Sequence, residues 1–327
     1  MSPARREPWP NRNDSPKTFV TSLAELPTNG ASRVIYFGTP DIAVAPLRAL
    51  VDADCNVELV VTRPDVRRGR GNQTSACPVK VAAQEMGLKV SHSLSDAVTH
   101  VGSSSDLIGV VVAYGELISM DVLSVVPMIN VHFSLLPRWR GAAPVERAIL
   151  AGDETTGVCI MRVVESLDQG EVFSRVEMPI LSSDTLTSLR DKLLEASLPL
   201  LVSAVKNGLG DGAAQSGEPV YAKKISNSDL QINWSHTATQ IDRLIRIGGA
   251  YTHIGGKRLK IVKARIVAES LTSEVNGAIK IISRHECEVQ TGSGSISLIE
   301  VQPEGKAVMK VDGWLNGARI ETGAVLS

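Results

Sequence analysis

From Ser32 onward, short apolar runs alternate with stretches of helical period. S-R-V-I-Y-F at 32–37, Val57–Thr62 and Asp106–Gly115 read as strands. The last is apolar almost throughout, as a parallel strand covered on both faces requires. Helices are expected through Leu50, over 79–86 and, after a short strand, before Asp106. Met128, Ile129 and Val131 mark a further strand in which the polar residues Asn130 and His132 are spaced by two, so both project to one side. The chain breaks at Pro137, turns at Arg140-Gly141 and enters a helix over 143–151. Strands follow at 156–164 and 172–180 around a loop at 165–171, then a helix to Asn207 with leucines at 186, 189, 193 and 200. The pattern predicts a doubly wound, Rossmann-like α/β domain over residues 32–207. A stretch rich in Gly, Ala, Ser and Gln opens a linker placed at 208–229. Beyond it, one helix (237–247) and strands at 258–267, 277–282, 286–290 and 295–302 predict a small antiparallel, OB-like β-barrel over 230–327. Residues 1–31 lack periodicity and are expected to form a mobile tail.

Composition narrows the class. With 327 residues, 43% hydrophobic and 21% charged, the chain suits two globular domains. A formal net charge of −1 leaves nucleic-acid binding to local patches, and 4% aromatic residues argue against a base-stacking surface. The four cysteines are scattered without a C-x-x-C, which points to reduced thiols in a cytoplasm. No apolar run reaches the ~18 residues of a membrane span, and no apolar leader segment is present. Gly38-Thr39-Pro40-Asp41 supplies one glycine where a dinucleotide fingerprint needs G-x-G-x-x-G; Pro40 and Asp41 explain it as a helix start.

Two segments carry candidate chemistry. The first is the long connection from Arg63 to Pro78, with Arg63, Arg67, Arg68 and Arg70. Compact αβ loops have ~2–6 residues, so this one reads either as a solvated basic surface or as an arm gripping phosphates. The second is the pair Asn130 and His132, with Asp168 on the loop after the next strand. If that strand is parallel, its loop faces the same sheet edge. An amide and an imidazole opposite a carboxylate suit acyl-type transfer: the first two meet a developing oxyanion, the third orients the histidine and helps move a proton. A strand-end histidine and an Asp-turn are also common structural features, so this reading stays open here. No G-x-S-x-G nucleophile motif occurs, which favours direct attack by the acceptor. His132 has no His or Cys partner at ligand spacing, so no metal is expected.

The string N-V-H-F-S-L-L-P-R-W-R-G-A-A-P-V from Asn130 resembles the signature of the 10-formyltetrahydrofolate-dependent formyltransferases. Further matches run in order: F-G-T-P-D-I-A at 37–43, G-R-G at 69–71, C-P-V-K at 77–80, V-V-A-Y-G at 111–115, A-G-D-E-T-T-G-V at 151–158 and L-D-Q-G at 167–170. The resemblance implies that Asn130, His132 and Asp168 are catalytic. It implies a folate pocket lined by Val112, Ala113, Tyr114 and Gly115 and by Ser134, Leu135, Leu136 and Pro137. It further implies 10-formyltetrahydrofolate as cosubstrate, charged initiator methionyl-tRNA as partner, an arginine loop that enters the tRNA acceptor stem with Arg70 as its key residue, and a monomer. Rivals are formyl transfer to a small amine, such as an amino sugar nucleotide or glycinamide ribonucleotide, and a non-catalytic RNA-binding protein.

The chain departs from the family pattern in places. Phe133 stands where many members have glycine, and Gln169 replaces a common threonine. Asn72-Gln73 replaces frequent lysines, and residues 248–253 look shorter than the family's segment at the barrel entrance.

Overall fold

Strand β1 (Arg33–Gly38) is apolar on both sides, and it lies inside a seven-stranded sheet. The computed structural model describes residues 22–67, 74–102, 106–267 and 275–327. After β1 come α1 (Val44–Asp52), β2 (Val57–Val61), a short pair β3 (Val66–Arg67) and β4 (Thr74–Ser75), α2 (Pro78–Glu85), β5 (Val90–Ser91) and α3 (Leu94–Val101). The domain continues with β6 (Leu107–Val112), α4 (Met120–Leu123), β7 (Met128–His132), β8 (Arg140–Gly141), α5 (Pro144–Ala151), β9 (Thr155–Arg162), β10 (Val172–Pro179) and α6 (Leu186–Asn207). The sheet order is β10-β9-β7-β6-β1-β2-β5.

Alternation along β1 divides the core in two. Val34 and Tyr36 join Leu47, Val60, Val110, Leu189, Leu193 and Leu201 on one face. Ile35 and Phe37 join Leu59, Val61, Ala97, Val111 and Met128 on the other. Both faces are covered, which is why the strands read as unbroken apolar runs. The leucine stripe of α6 is core packing: Leu189 and Leu193 are fully buried.

Two expectations need correction. Strand β9 is antiparallel to β7, and β10 is antiparallel to β9, so only β7-β6-β1-β2-β5 is parallel. The loop carrying Asp168 is therefore a hairpin connection, not the C-terminal edge of a parallel strand. The mobile tail expected over 1–31 does not include residues 22–31. Residues 22–31 are tied to the domain: Ala24 N–H donates to Leu123 O, Arg162 reaches Ala24 O, and Leu23 and Leu26 pack on the two cores. Apolar Leu23 and Leu26 supply the reason. Residues 1–21 lie outside the described residues.

The connecting segment carries β11 (Tyr221–Ala222), which pairs in parallel with β8. Then follow α7 (Ala238–Arg246), β12 (Tyr251–Ile254), β13 (Lys257–Val267), β14 (Ile279–Ser283), β15 (Glu286–Gln290), β16 (Ser295–Pro303), β17 (Met309–Lys310) and α8 (Val311–Ala318). These strands form an antiparallel sheet in the order β12-β13-β16-β15-β14, with β17 against β16. The chain end closes it into a small barrel. Ile279 N–H donates to Ala324 O, while His253 and Ser327 exchange two backbone bonds. Thr237 caps α7 in a reciprocal capping box with Gln240. Periodicity does not reveal α8, because Gly313 and Gly317 weaken its helix propensity; buried Trp314 and Leu315 hold it in place.

Candidate active site

Strand β7 sets the geometry. Met128 faces the core of one side of the sheet, and Asn130 and His132 follow on that same side where the strand runs out into a cavity. The cavity has a volume of about 490 Å³. Its polar floor is Asn130, His132 and Asp168, and its walls include Val111, Ile118, Phe133, Met161, Val163 and Val164. Leu117 and Leu167 stand at its mouth with 76% and 49% exposure. Apolar walls, a few convergent polar groups and exposed apolar lips suit a flat ring system with one polar reacting end.

His132 is 5% exposed and held from both sides. Its Nε2 lies 3.0 Å from the carbonyl oxygen of Trp139, and its Nδ1 lies 3.7 Å from Asp168 Oδ2. The same Oδ2 accepts the Gly141 N–H at 2.8 Å. The Nδ1–Asp168 gap is too long for a direct hydrogen bond, as is common before substrate arrives.

The surrounding backbone is unusual. Ala113, Trp139 and Asp168 all have positive φ (47°, 65° and 51°). Such conformations cost about 1–3 kcal/mol each in side-chain-bearing residues and persist only where neighbours impose them. For Trp139 the neighbour is Asp153: its carboxylate receives Arg138 through two bonds of 2.8 and 2.7 Å and the Trp139 indole N–H at 2.7 Å. Arg138 also lies over the Trp139 ring, 4.4 Å from its centre. This clamp aims the Trp139 carbonyl at His132.

The expected folate residues separate into two groups. Ala113, Tyr114 and Gly115 line the cavity. Burial and the nearby Glu116 push the Tyr114 phenol up to about 12, so it stays protonated at neutral pH. Its ring meets Phe37 edge-on at 5.8 Å, and its carbonyl accepts the Thr39 hydroxyl at 2.9 Å. Val112 is fully buried behind this turn. Ser134, Leu135, Leu136 and Pro137 are absent from the lining. Ser134 is buried and donates to Arg138 O at 2.6 Å, Leu136 packs with Cys159 and Met161, and Leu135 lies against Gly157. These four residues belong to the turn between β7 and β8. Phe133 lines the cavity and joins the core, filling space beside His132.

Of the arginines, Arg63 is exposed, and its backbone N–H reaches the Thr39 hydroxyl that also bonds Tyr114 O. The root of the loop is thus joined to the cavity rim. Arg67 is the last residue of β3, and Arg68 and Arg70 lie outside the described residues. Sequence reasoning missed Glu116, Leu117 and Leu167 at the mouth, and Trp139, Gly141 and Gln215 around the histidine and aspartate. Backbone contacts and a glutamine in a Gly/Ser-rich stretch leave no pattern to read. Among the described residues, no group of three or more His, Cys, Asp or Glu stands together, and no helix is long and apolar enough to cross a membrane.

Residues 32–205 match the family described as Formyl transferase, and residues 224–319 match the Formyl transferase C-terminal domain. An imidazole and an amide at the end of a central strand, in a cavity of this kind, accord with that class, and the chain belongs to the formyl transferase family. Its similarity extends over the full length of methionyl-tRNA formyltransferases. That of Corynebacterium diphtheriae is 38% identical over 90% of this chain and 100% of the relative. That of Neisseria meningitidis serogroup C gives the same figures, 38%, 90% and 100%, and that of Jannaschia sp. is 39% identical over 90% and 99%. Among solved structures, a sugar 3N-formyl transferase crystallised with dTDP and 5-N-formyl-THF aligns with a TM-score of 0.61 at 19% identity, covering 85% of this chain and 99% of that one. An N-formyltransferase from Helicobacter canadensis with folinic acid and dTDP-3-aminofucose gives 0.60 at 18% identity, over 84% and 99%. These two likenesses concern the fold.

Proposed function

We propose that this enzyme transfers the formyl group of 10-formyltetrahydrofolate to the methionine amine of charged initiator tRNA, acting as a cytoplasmic monomer. The observation that carries the chemistry is Asn130 and His132 side by side on β7, with Asp168 opposite, at the polar floor of an apolar-walled cavity. The acceptor is supported by similarity to methionyl-tRNA formyltransferases along their whole length, barrel included.

The folate supplies an activated formyl carbon. The Asn130 amide donates to the formyl oxygen as it gains charge, and the Nδ1 edge of His132 turns toward Asp168. The acceptor amine forms the new N–C bond, and the bond from the formyl carbon to the folate nitrogen breaks. The proton leaving the amine passes through the His132–Asp168 pair to the departing folate nitrogen. The cavity fits the donor: Ala113, Tyr114 and Gly115 hold the ring by backbone groups, with Val112 and the Ser134–Pro137 turn shaping the site from behind. Arg63, Arg67, Arg68 and Arg70 contact tRNA phosphates.

The test offers 10-formyltetrahydrofolate together with charged initiator tRNA and an amino sugar nucleotide in one reaction. Formylated methionyl-tRNA is the expected product; formylation of the small amine alone would remove the tRNA reading.

A further inference from the structure

The segment that joins the two domains crosses the active site. Ala213 exchanges two backbone hydrogen bonds of 2.9 Å with Val172, and Tyr221–Ala222 pairs with Arg140–Gly141. Between these anchors the Gln215 side chain makes four hydrogen bonds. Its Nε2 donates to the carbonyl oxygens of Asp168 (2.9 Å) and Gly170 (2.8 Å). Its Oε1 accepts from Arg140 Nε (3.0 Å) and Nη2 (2.6 Å). A primary amide has two N–H donors and one oxygen with two lone pairs, so this one is fully used. Arg140 is itself 9% exposed, and its neighbour Gly141 gives its N–H to the Asp168 carboxylate.

Asp168 needs this support. Its φ of 51° is left-handed, a region that side-chain-bearing residues adopt only sparsely, though aspartate more readily than most. Two backbone carbonyls of its turn point at Gln215, and one amide fixes both. Removing that amide frees the turn to relax, which moves the carboxylate relative to His132.

We propose that Gln215 is a positioning residue for formyl transfer: it ties the Asp168 turn to Arg140 and so holds the Asp168 carboxylate beside His132. The inference rests on the role given to Asp168 above, and its test separates the two. Gln215→Glu, Gln215→Ala and Asp168→Asn are made in the full chain. Each is assayed with 10-formyltetrahydrofolate and charged initiator tRNA, with a thermal melt as a check on folding.

Glutamate keeps one oxygen for Arg140 but sets its other carboxylate oxygen against the two carbonyls. The expected result is a kcat lower by about 10- to 100-fold in both Gln215 variants, the scale of loss when a catalytic group is displaced by about 1 Å. Both KM values are expected to stay within about twofold, because substrate binding is untouched. Should Gln215→Ala fail to fold, Gln215→Glu, which keeps the Arg140 pairing, still decides. A normal kcat in Gln215→Glu, or a loss that resides in KM, overturns the proposal. Asp168→Asn at the normal rate would instead overturn the reading of the site; a slow Asp168→Asn beside a normal Gln215→Glu overturns Gln215 alone.

Discussion

His132 Nε2 stands 3.0 Å from the carbonyl oxygen of Trp139. A carbonyl oxygen only accepts, so Nε2 carries the hydrogen, and Nδ1 is the nitrogen turned toward Asp168. The ring is thereby fixed in rotation and tautomer by backbone rather than by another side chain. What keeps that carbonyl in place is Asp153, through Arg138 and the Trp139 indole.

Asp153→Ala should therefore act at a distance. Removing charge-assisted partners of this kind costs about 1–3 kcal/mol of stability. The released Trp139 carbonyl should lower kcat by roughly tenfold, with the KM for folate unchanged. Steady-state kinetics beside a melting curve would check both; a loss of stability with normal kcat would show that the clamp does not orient His132.

A second expectation concerns pH and stability. Asp184 is buried, and burial pushes its carboxyl up. Lys192 at 2.6 Å, the Leu181 N–H and Ser188 outweigh this and hold it below the usual carboxylate range. A depressed folded value means the stabilisation is complete above the unfolded value of about 3.9 and is lost as pH falls through the lower folded value. Asp184→Asn should be less stable than wild type at pH 7, and its melting curve should fall less between pH 5 and pH 2. Parallel curves across that range would contradict the assignment.

The arginine loop gives a third. Arg70→Ala should raise the KM for charged initiator tRNA and reduce the salt dependence of tRNA binding, since a phosphate contact releases counterions. Folate binding should be unaffected. Equal weakening of folate and tRNA binding would place Arg70 at the cavity instead.

Much of this was legible in the chain, and the exceptions have physical causes. The parallel strands announced themselves through continuous apolar runs, and the spacing of Asn130 and His132 gave their shared face at once. The direction of β9 was not legible, because an antiparallel strand inside the sheet and covered on both faces is as apolar as a parallel one. Asp168 thus reaches His132 from a hairpin turn, by a route the sequence does not spell out. Residues 208–219 looked like a passive linker by composition. The contacts of Gln215 arise from tertiary packing and leave no local pattern. The resemblance implies Ser134–Pro137 at the cavity, yet Ser134 bonds Arg138 O and Leu136 packs with Cys159 and Met161.

The central claim is that the Asn130 amide holds the formyl oxygen while the amine adds. Single-turnover transfer to charged initiator tRNA by Asn130→Ala, beside wild type and with folding checked by melting temperature, tests it most directly. The account predicts a rate lower by about 10²- to 10³-fold, the cost of one oxyanion donor, in a protein that melts as wild type does. Transfer at the wild-type rate by the folded variant would contradict it.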